Sequence, residues 1–174
     1  MKNFLIAVDL QKDFVDGALG TKEAVSIIPA AAGKIRGFDG EIFVTLDTHG
    51  ENYLNTAEGR KLPVIHCVKG SDGWQLNKDI ASALEGKKYM LVEKPTFGST
   101  ALPALIEEAA DGENFTVSLI GLCTDICVVS NALLIKANFP EMQISVDSAC
   151  CAGVTPEKHN AALETMRSCQ IDVI

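Results

Sequence analysis

Short apolar, β-branched runs alternate along the chain with stretches whose apolar positions recur at helical spacing. The runs are Phe4–Val8, Glu41–Leu46, Tyr89–Glu93, Phe115–Gly121, Gln143–Val146 and Ile171–Ile174; each has the length and composition of a strand. Between them, Ala101, Leu102, Leu105, Ile106 and Ala109 share one helical face, as do Val128, Val129, Ala132, Leu133 and Lys136 after a Thr124 N-cap. Pro29 suits the first position of a helix over Ala30–Arg36 that stops at Gly37, and Thr155-Pro156 opens a last helix through Ala161, Ala162, Leu163 and Met166. Strand–helix alternation of this kind predicts βαβ units and an open, mostly parallel six-stranded sheet. Two segments, Asp16–Ser26 and Gly50–Ser71, show no period. Loops of that length in a small domain are usually functional, and both follow strands.

The 174 residues suit one domain, 1–174, because no repeat, low-complexity tract or linker divides them. No apolar stretch approaches the roughly 20 residues that cross a bilayer. Met1-Lys2-Asn3 leads into a short apolar segment already interrupted by Asp9, so no secretory signal is expected and a cytoplasmic protein is. The net charge of −8 comes from scattered carboxylates, which argues against nucleic acid as a partner. Six cysteines occur without an export signal, so reduced thiols are expected; the vicinal pair Cys150-Cys151 is either space-filling or a redox device.

Placed on this frame, the reactive residues converge. Asp9 ends the first strand, Asp47 and His49 the second and Lys94 the third, and Cys127 follows the fourth. In an open parallel sheet those ends share one edge, where ligands bind. With Thr124 as N-cap, Cys127 falls in the first turn of a helix. Orphan N–H groups and the helix dipole there favour a thiolate, as would the Lys94 ammonium. Asp9 supplies a carboxylate able to take the thiol proton and return it to a leaving amine. Asp47-Thr48-His49 sets two potential metal ligands on one face of a strand end.

The segments Val8-Asp9-Leu10-Gln11-Lys12-Asp13-Phe14, Glu93-Lys94-Pro95-Thr96-Phe97 and Gly121 to Val128 resemble the isochorismatase-like cysteine hydrolases, within which the chain is most similar to the nicotinamidase/pyrazinamidase branch. The likeness runs nearly end to end. It implies a three-layer, Rossmann-like α/β fold with helices on both faces of the sheet, and a homo-oligomer. It implies Cys127 as nucleophile, Asp9 as base and then acid, and Lys94 orienting Asp9. The backbone N–H groups of Cys123 and Cys127 would form an oxyanion hole, with donors worth about 3–4 kcal/mol each. A cis peptide is expected between Leu122 and Cys123. Phe14, Phe97 and Leu122 would line the substrate pocket. Asp47, His49, Glu58 and His66 would bind a divalent transition metal, zinc by preference. His159 has no such role and is expected on the solvated surface. Leu62 departs from the pattern, since many members carry an aromatic there.

The activity so implied is hydrolysis of a small amide, with nicotinamide as the leading substrate. Another small carbamoyl or ureido amide is the sibling reading. A dinucleotide-binding domain is disfavoured, because the first strand leads into Asp9-Leu10-Gln11 and not a glycine-rich turn. A non-catalytic metal or redox module built on Cys123, Cys127, Cys150 and Cys151 would leave Asp9 and Lys94 without purpose.

Overall fold

The computed structural model describes residues 1–174. Its centre is a six-stranded sheet made of β1 (Lys2–Val8), β2 (Glu41–Asp47), β3 (Tyr89–Lys94), β4 (Phe115–Leu122), β5 (Gln143–Ala152) and β6 (Asp172–Val173). The order is β3-β2-β1-β4-β5-β6, and every pairing is parallel. Crossovers from β1 step outward in one direction and those from β4 in the other. The order therefore reverses between β1 and β4, which leaves a crevice at their carboxyl ends.

Central strand β1 explains why its run is continuously apolar: it is covered on both sides. Phe4, Ile6 and Val8 pack on one face with Leu102, Ile106, Ile135 and Met166, from α5 (Leu102–Ala110), α6 (Val129–Asn138) and α7 (Pro156–Ser168). Leu5 and Ala7 pack on the other face with α1 (Lys12–Val15), α2 (Lys22–Gly37) and α4 (Lys78–Ala83). The short α3 (Ala57–Lys61) belongs to the loop after β2.

Three expectations about local structure are corrected. Helix α2 does not begin at Pro29; Thr21 caps it by accepting from the Ala24 N–H, and Pro29 lies inside. The apolar face of Ala24, Ile27, Ile28, Ala31, Ala32 and Ile35 spans the proline, so packing outweighs the lost hydrogen bond. Pro29 and Val25 both sit on the exposed side, where water can serve the freed carbonyl. The segments Asp16–Ser26 and Gly50–Ser71 are not wholly irregular, since they contain the start of α2, a 3₁₀ turn at Tyr53–Asn55 and α3. Thr124 is not an N-cap. A wide π-turn, Thr124–Val128, precedes α6, and the Thr124 hydroxyl bonds to His159 Nδ1 at 2.8 Å. His159 is accordingly half-buried between α7 and this turn, not free on the surface.

Two further points bear on the site. Gly121 has φ +121°, and a Cβ there would collide with the Val8 carbonyl, so a glycine lets β1 and β4 close up beneath the crevice. Cys150 and Cys151 point to opposite faces of β5 and pack in opposite cores, and all six cysteines are free thiols. They fill space.

Candidate active site

The sheet edge brings together the residues that strand ends predicted. Asp9 follows β1 with φ +47°, a conformation that costs a non-glycine residue about 1–3 kcal/mol. That turn lowers its carboxylate into the crevice, where it is wholly buried. Lys94, at the end of β3, is buried beside it, with Nζ 2.7 Å from Asp9 Oδ2, 3.3 Å from Asp47 Oδ1 and 3.6 Å from Cys127 Sγ. Its ammonium also donates to the Thr96 carbonyl at 3.0 Å. Burial alone would push this ammonium down, but Asp9, the Cys127 sulfur and Asp47 outweigh it and hold Lys94 above the ordinary lysine range.

Asp9 is raised above the usual carboxylate range. Burial is the largest cause and Asp47 adds to it, while Lys94 and a hydrogen bond from Thr45 oppose it. The thiol of Cys127 contacts Asp9 and is raised well above an ordinary cysteine, by burial first and then by the Asp9 charge. Burial, Asp9 and Asp47 thus oppose the pull that Lys94 exerts toward a thiolate at Cys127.

The turn carrying Cys127 also shapes the backbone. Leu122–Cys123 is a cis peptide, as expected. The Cys123 carbonyl accepts from the N–H groups of Ile126 and Val128, passing over that of Cys127. The side chain of Cys123 is half-buried and lines the pocket, with its thiol pushed up to about 12 by burial, Asp125 and Asp9.

Next to this group, ligand atoms of Asp47, His49, Glu58 and His66 all lie within 4.8 Å of one another. Asp47 Oδ2 stands 3.0 Å from His49 Nε2 and 3.6 Å from His66 Nε2; Glu58 Oε1 stands 3.7 and 3.8 Å from the same nitrogens. Donors about 2.0–2.2 Å from a shared tetrahedral ion are themselves roughly 3.3–3.6 Å apart, so the set fits a divalent transition metal. The second bond of His66 agrees. Its Nδ1 donates to the Val64 carbonyl at 2.7 Å, which leaves Nε2 with its lone pair toward the cluster. The Tyr53 ring packs on both imidazoles, and its hydroxyl donates to the Leu62 carbonyl at 3.0 Å. Helix α3 carries Glu58 into place, capped by the Thr56 hydroxyl on the Gly59 N–H.

A cavity of about 290 Å³ connects the two groups, lined by Phe14, Phe97, Cys123, Cys127, Asp47 and His66 among others. Phe14 is buried, with its ring edge on His66, and Phe97 is exposed at the rim. Leu122 does not join them; its side chain is buried in the core under α2, so its expected substrate contact is corrected. Trp74 packs under the loop, donating from Nε1 to Thr48 Oγ1 at 2.9 Å.

Sequence reasoning overlooked three supports. Thr45 Oγ1 donates to Asp9 Oδ1 at 2.7 Å. The Gln11 amide pairs with the Asp47 backbone like a strand, donating to its carbonyl at 2.9 Å and accepting from its N–H at 2.8 Å. Asn131, buried on α6, donates to the Cys127 carbonyl at 2.8 Å and accepts from the Ser99 N–H at 2.9 Å, tying the nucleophile turn to the loop after Lys94. A polar residue on the apolar side of a strand or helix was the available signal for Thr45 and Asn131.

Comparison with known proteins places these features in context. A family model described as the isochorismatase domain matches residues 3–174. A Bacillus subtilis (strain 168) protein described as an uncharacterized isochorismatase family protein, PncA, is 30% identical over 176 residues, covering 94% of this chain and 93% of its own. The structure of nicotinamidase/pyrazinamidase PncA from Bacillus subtilis superposes with a TM-score of 0.87 at 27% identity, over 99% of both chains. That of the pyrazinamidase of Pyrococcus horikoshii in complex with zinc superposes with a TM-score of 0.79 at 27% identity, over 100% of this chain and 99% of that one.

Proposed function

Because the chain belongs to the isochorismatase family, we propose that it hydrolyses a small amide, nicotinamide, to nicotinate and ammonia through a thioester on Cys127. One observation carries this reading: a buried Asp9–Lys94–Cys127 group shares its cavity with the cluster Asp47, His49, Glu58 and His66. The similarity to the nicotinamidase/pyrazinamidase of Bacillus subtilis supports the choice of substrate.

In this reading Phe14 and Phe97 hold the aromatic ring and place the carboxamide against Cys127. Asp9 takes the thiol proton as the sulfur bonds to the carbonyl carbon. The displaced electron pair moves to oxygen, which the N–H groups of Cys123 and Cys127 stabilise. Collapse of the tetrahedral adduct breaks the C–N bond, and protonated Asp9 returns its proton to the departing amine. Water then attacks the thioester with Asp9 as base, and nicotinate leaves as the thiol re-forms. Lys94 keeps Asp9 oriented and offsets the charge that passes between carboxylate and sulfur. Asp47, His49, Glu58 and His66 would hold a divalent metal, zinc by preference, which when bound supplies a Lewis-acid anchor for a ring nitrogen or water. The similarity to a pyrazinamidase crystallised with zinc supports that choice. Tyr89, Met90 and Leu91, exposed on edge strand β3, are compatible with a homo-oligomer.

The test is ammonia release from nicotinamide by the metal-loaded protein. Cys127→Ala is expected to lower turnover by about a thousandfold or more with an unchanged circular dichroism spectrum. Substantial turnover in that variant, or none in the wild type, would sink the reading.

A further inference from the structure

The catalytic cavity does not end at its apolar rim. A second cavity of about 670 Å³ adjoins it, and the two share Glu58, Leu62, Phe97 and Ile126 as walls. Beyond that shared wall the outer cavity is lined by His49, Thr56, Ala57, Lys61, Pro95 and Thr96. Ligand pockets for molecules of drug size span roughly 300–1,000 Å³, so the inner cavity suits one small ring and the pair suits something longer.

The rim itself is exposed. Leu62 is 39% and Phe97 44% accessible, and Ile126 between them is only half-buried. Clustered exposed apolar side chains at the mouth of a polar site mark a surface that a ligand covers. An aromatic side chain at position 62 would extend over the ring and close this opening; leucine leaves it open.

We propose that this groove is an outer subsite for an apolar substituent, aryl or alkyl, on the ring of the amide substrate. The proposal rests on the amidase reading above. With the carboxamide at Cys127 and the ring nitrogen toward the Asp47–His49–Glu58–His66 cluster, ring carbon 5 is meta to both anchors and is the position from which a substituent would extend away from them toward the rim. A substituent there passes between Leu62 and Phe97 and exchanges water for their side chains, which favours binding without touching the reacting atoms. Substrates of this class therefore gain in KM rather than in kcat.

The test uses metal-loaded Cys127→Ala protein titrated calorimetrically with nicotinamide and with 5-phenylnicotinamide, alongside wild-type ammonia release from both. The phenyl compound is expected to bind at least about tenfold more tightly, and that ratio to fall toward one when Leu62→Ser and Phe97→Ser are combined. Both residues are exposed, so these changes leave the core intact. Equal or weaker binding of the phenyl compound, or a ratio untouched by the double substitution, overturns the subsite even where nicotinamide is turned over normally. Tighter phenyl binding without ammonia release from either compound leaves the subsite standing and removes the amidase reading instead.

Discussion

Replacing Thr45 with valine removes one hydroxyl and almost no volume, yet it should move the pH dependence of the enzyme. Thr45 Oγ1 donates to Asp9 Oδ1 at 2.7 Å inside a fully buried site. That bond favours the ionised carboxylate and already opposes the upward push of burial. A hydrogen bond to a charged group is worth about 1.5–3 kcal/mol, and each pKa unit corresponds to about 1.36 kcal/mol. Loss of the bond from the ionised form alone therefore pushes Asp9 further up. With Asp9 as the base, the acidic limb of the kcat/KM profile reports its titration in the free enzyme, so that limb shifts to higher pH. Stability follows the same sign. A carboxylate raised in the folded state binds protons more readily than the unfolded chain, so stability falls as pH rises through the window above 3.8, and Thr45→Val widens that window. The assay is kcat/KM for ammonia release across pH, wild type against variant. An acidic limb that stays put, or moves to lower pH, refutes the assignment of Asp9 as base held by Thr45.

Binding a divalent ion at Asp47, His49, Glu58 and His66 should stabilise the fold by about 2.7 kcal/mol at a hundredfold excess over Kd, or roughly 5–10 °C in Tm. His49→Ala and His66→Ala are expected to abolish both the shift and the metal detected by mass spectrometry, and retention of either would argue against the cluster. Burial lowers the pKa of His159, so the fold binds fewer protons there than the unfolded chain below pH 6.5. Stability should therefore decline as pH falls from 6.5, and His159→Gln should flatten that decline in urea titrations at pH 5 and 7. Native thiol titration should give fast reaction at the exposed Cys169 and slow reaction at the buried Cys150 and Cys151. A fast, reducible pair at 150–151 would contradict their separation onto two faces.

How far the sequence foretold this depends on the range of the physics involved. The strand runs were legible because burial on both faces of a parallel sheet demands consecutive apolar residues, as in Leu5-Ile6-Ala7-Val8. Once the strands stood, their carboxyl ends placed Asp9, Asp47, His49, Lys94 and Cys127 together without further information. Helix α2 was misread where a local rule met a tertiary one. Pro29 signals a helix start by propensity, but six buried residues on one face carry the helix across it. The surroundings of Cys127 divide in the same way: helix position and Lys94 are visible in sequence, whereas burial beside Asp9 is a property of the packed crevice. Thr45 and Gln11 were missed because their partners lie 36 residues away, and Asn131 because its link to Ser99 spans 32 residues.

Those three residues answer a problem the site creates for the fold. Asp9 and Lys94 form a buried ion pair, and taking two charges from water costs several kcal/mol that their attraction repays only when the geometry is fixed. The left-handed backbone at Asp9 adds its own strain. Thr45 supplies a donor to Asp9, Gln11 holds the strand end of Asp47 in register, and Asn131 pins the carbonyl of Cys127. Each satisfies a buried polar group that would otherwise cost about 1–3 kcal/mol. Lys94 is the common point, reaching Asp9, Asp47 and Cys127 from one nitrogen. Removing it strands two carboxylates in the core, at about 3–5 kcal/mol, so Lys94→Ala confounds folding with catalysis. The supporting residues do not carry that charge. Perturbing Thr45 rather than Lys94 therefore separates what the site does from what it costs the fold to hold it.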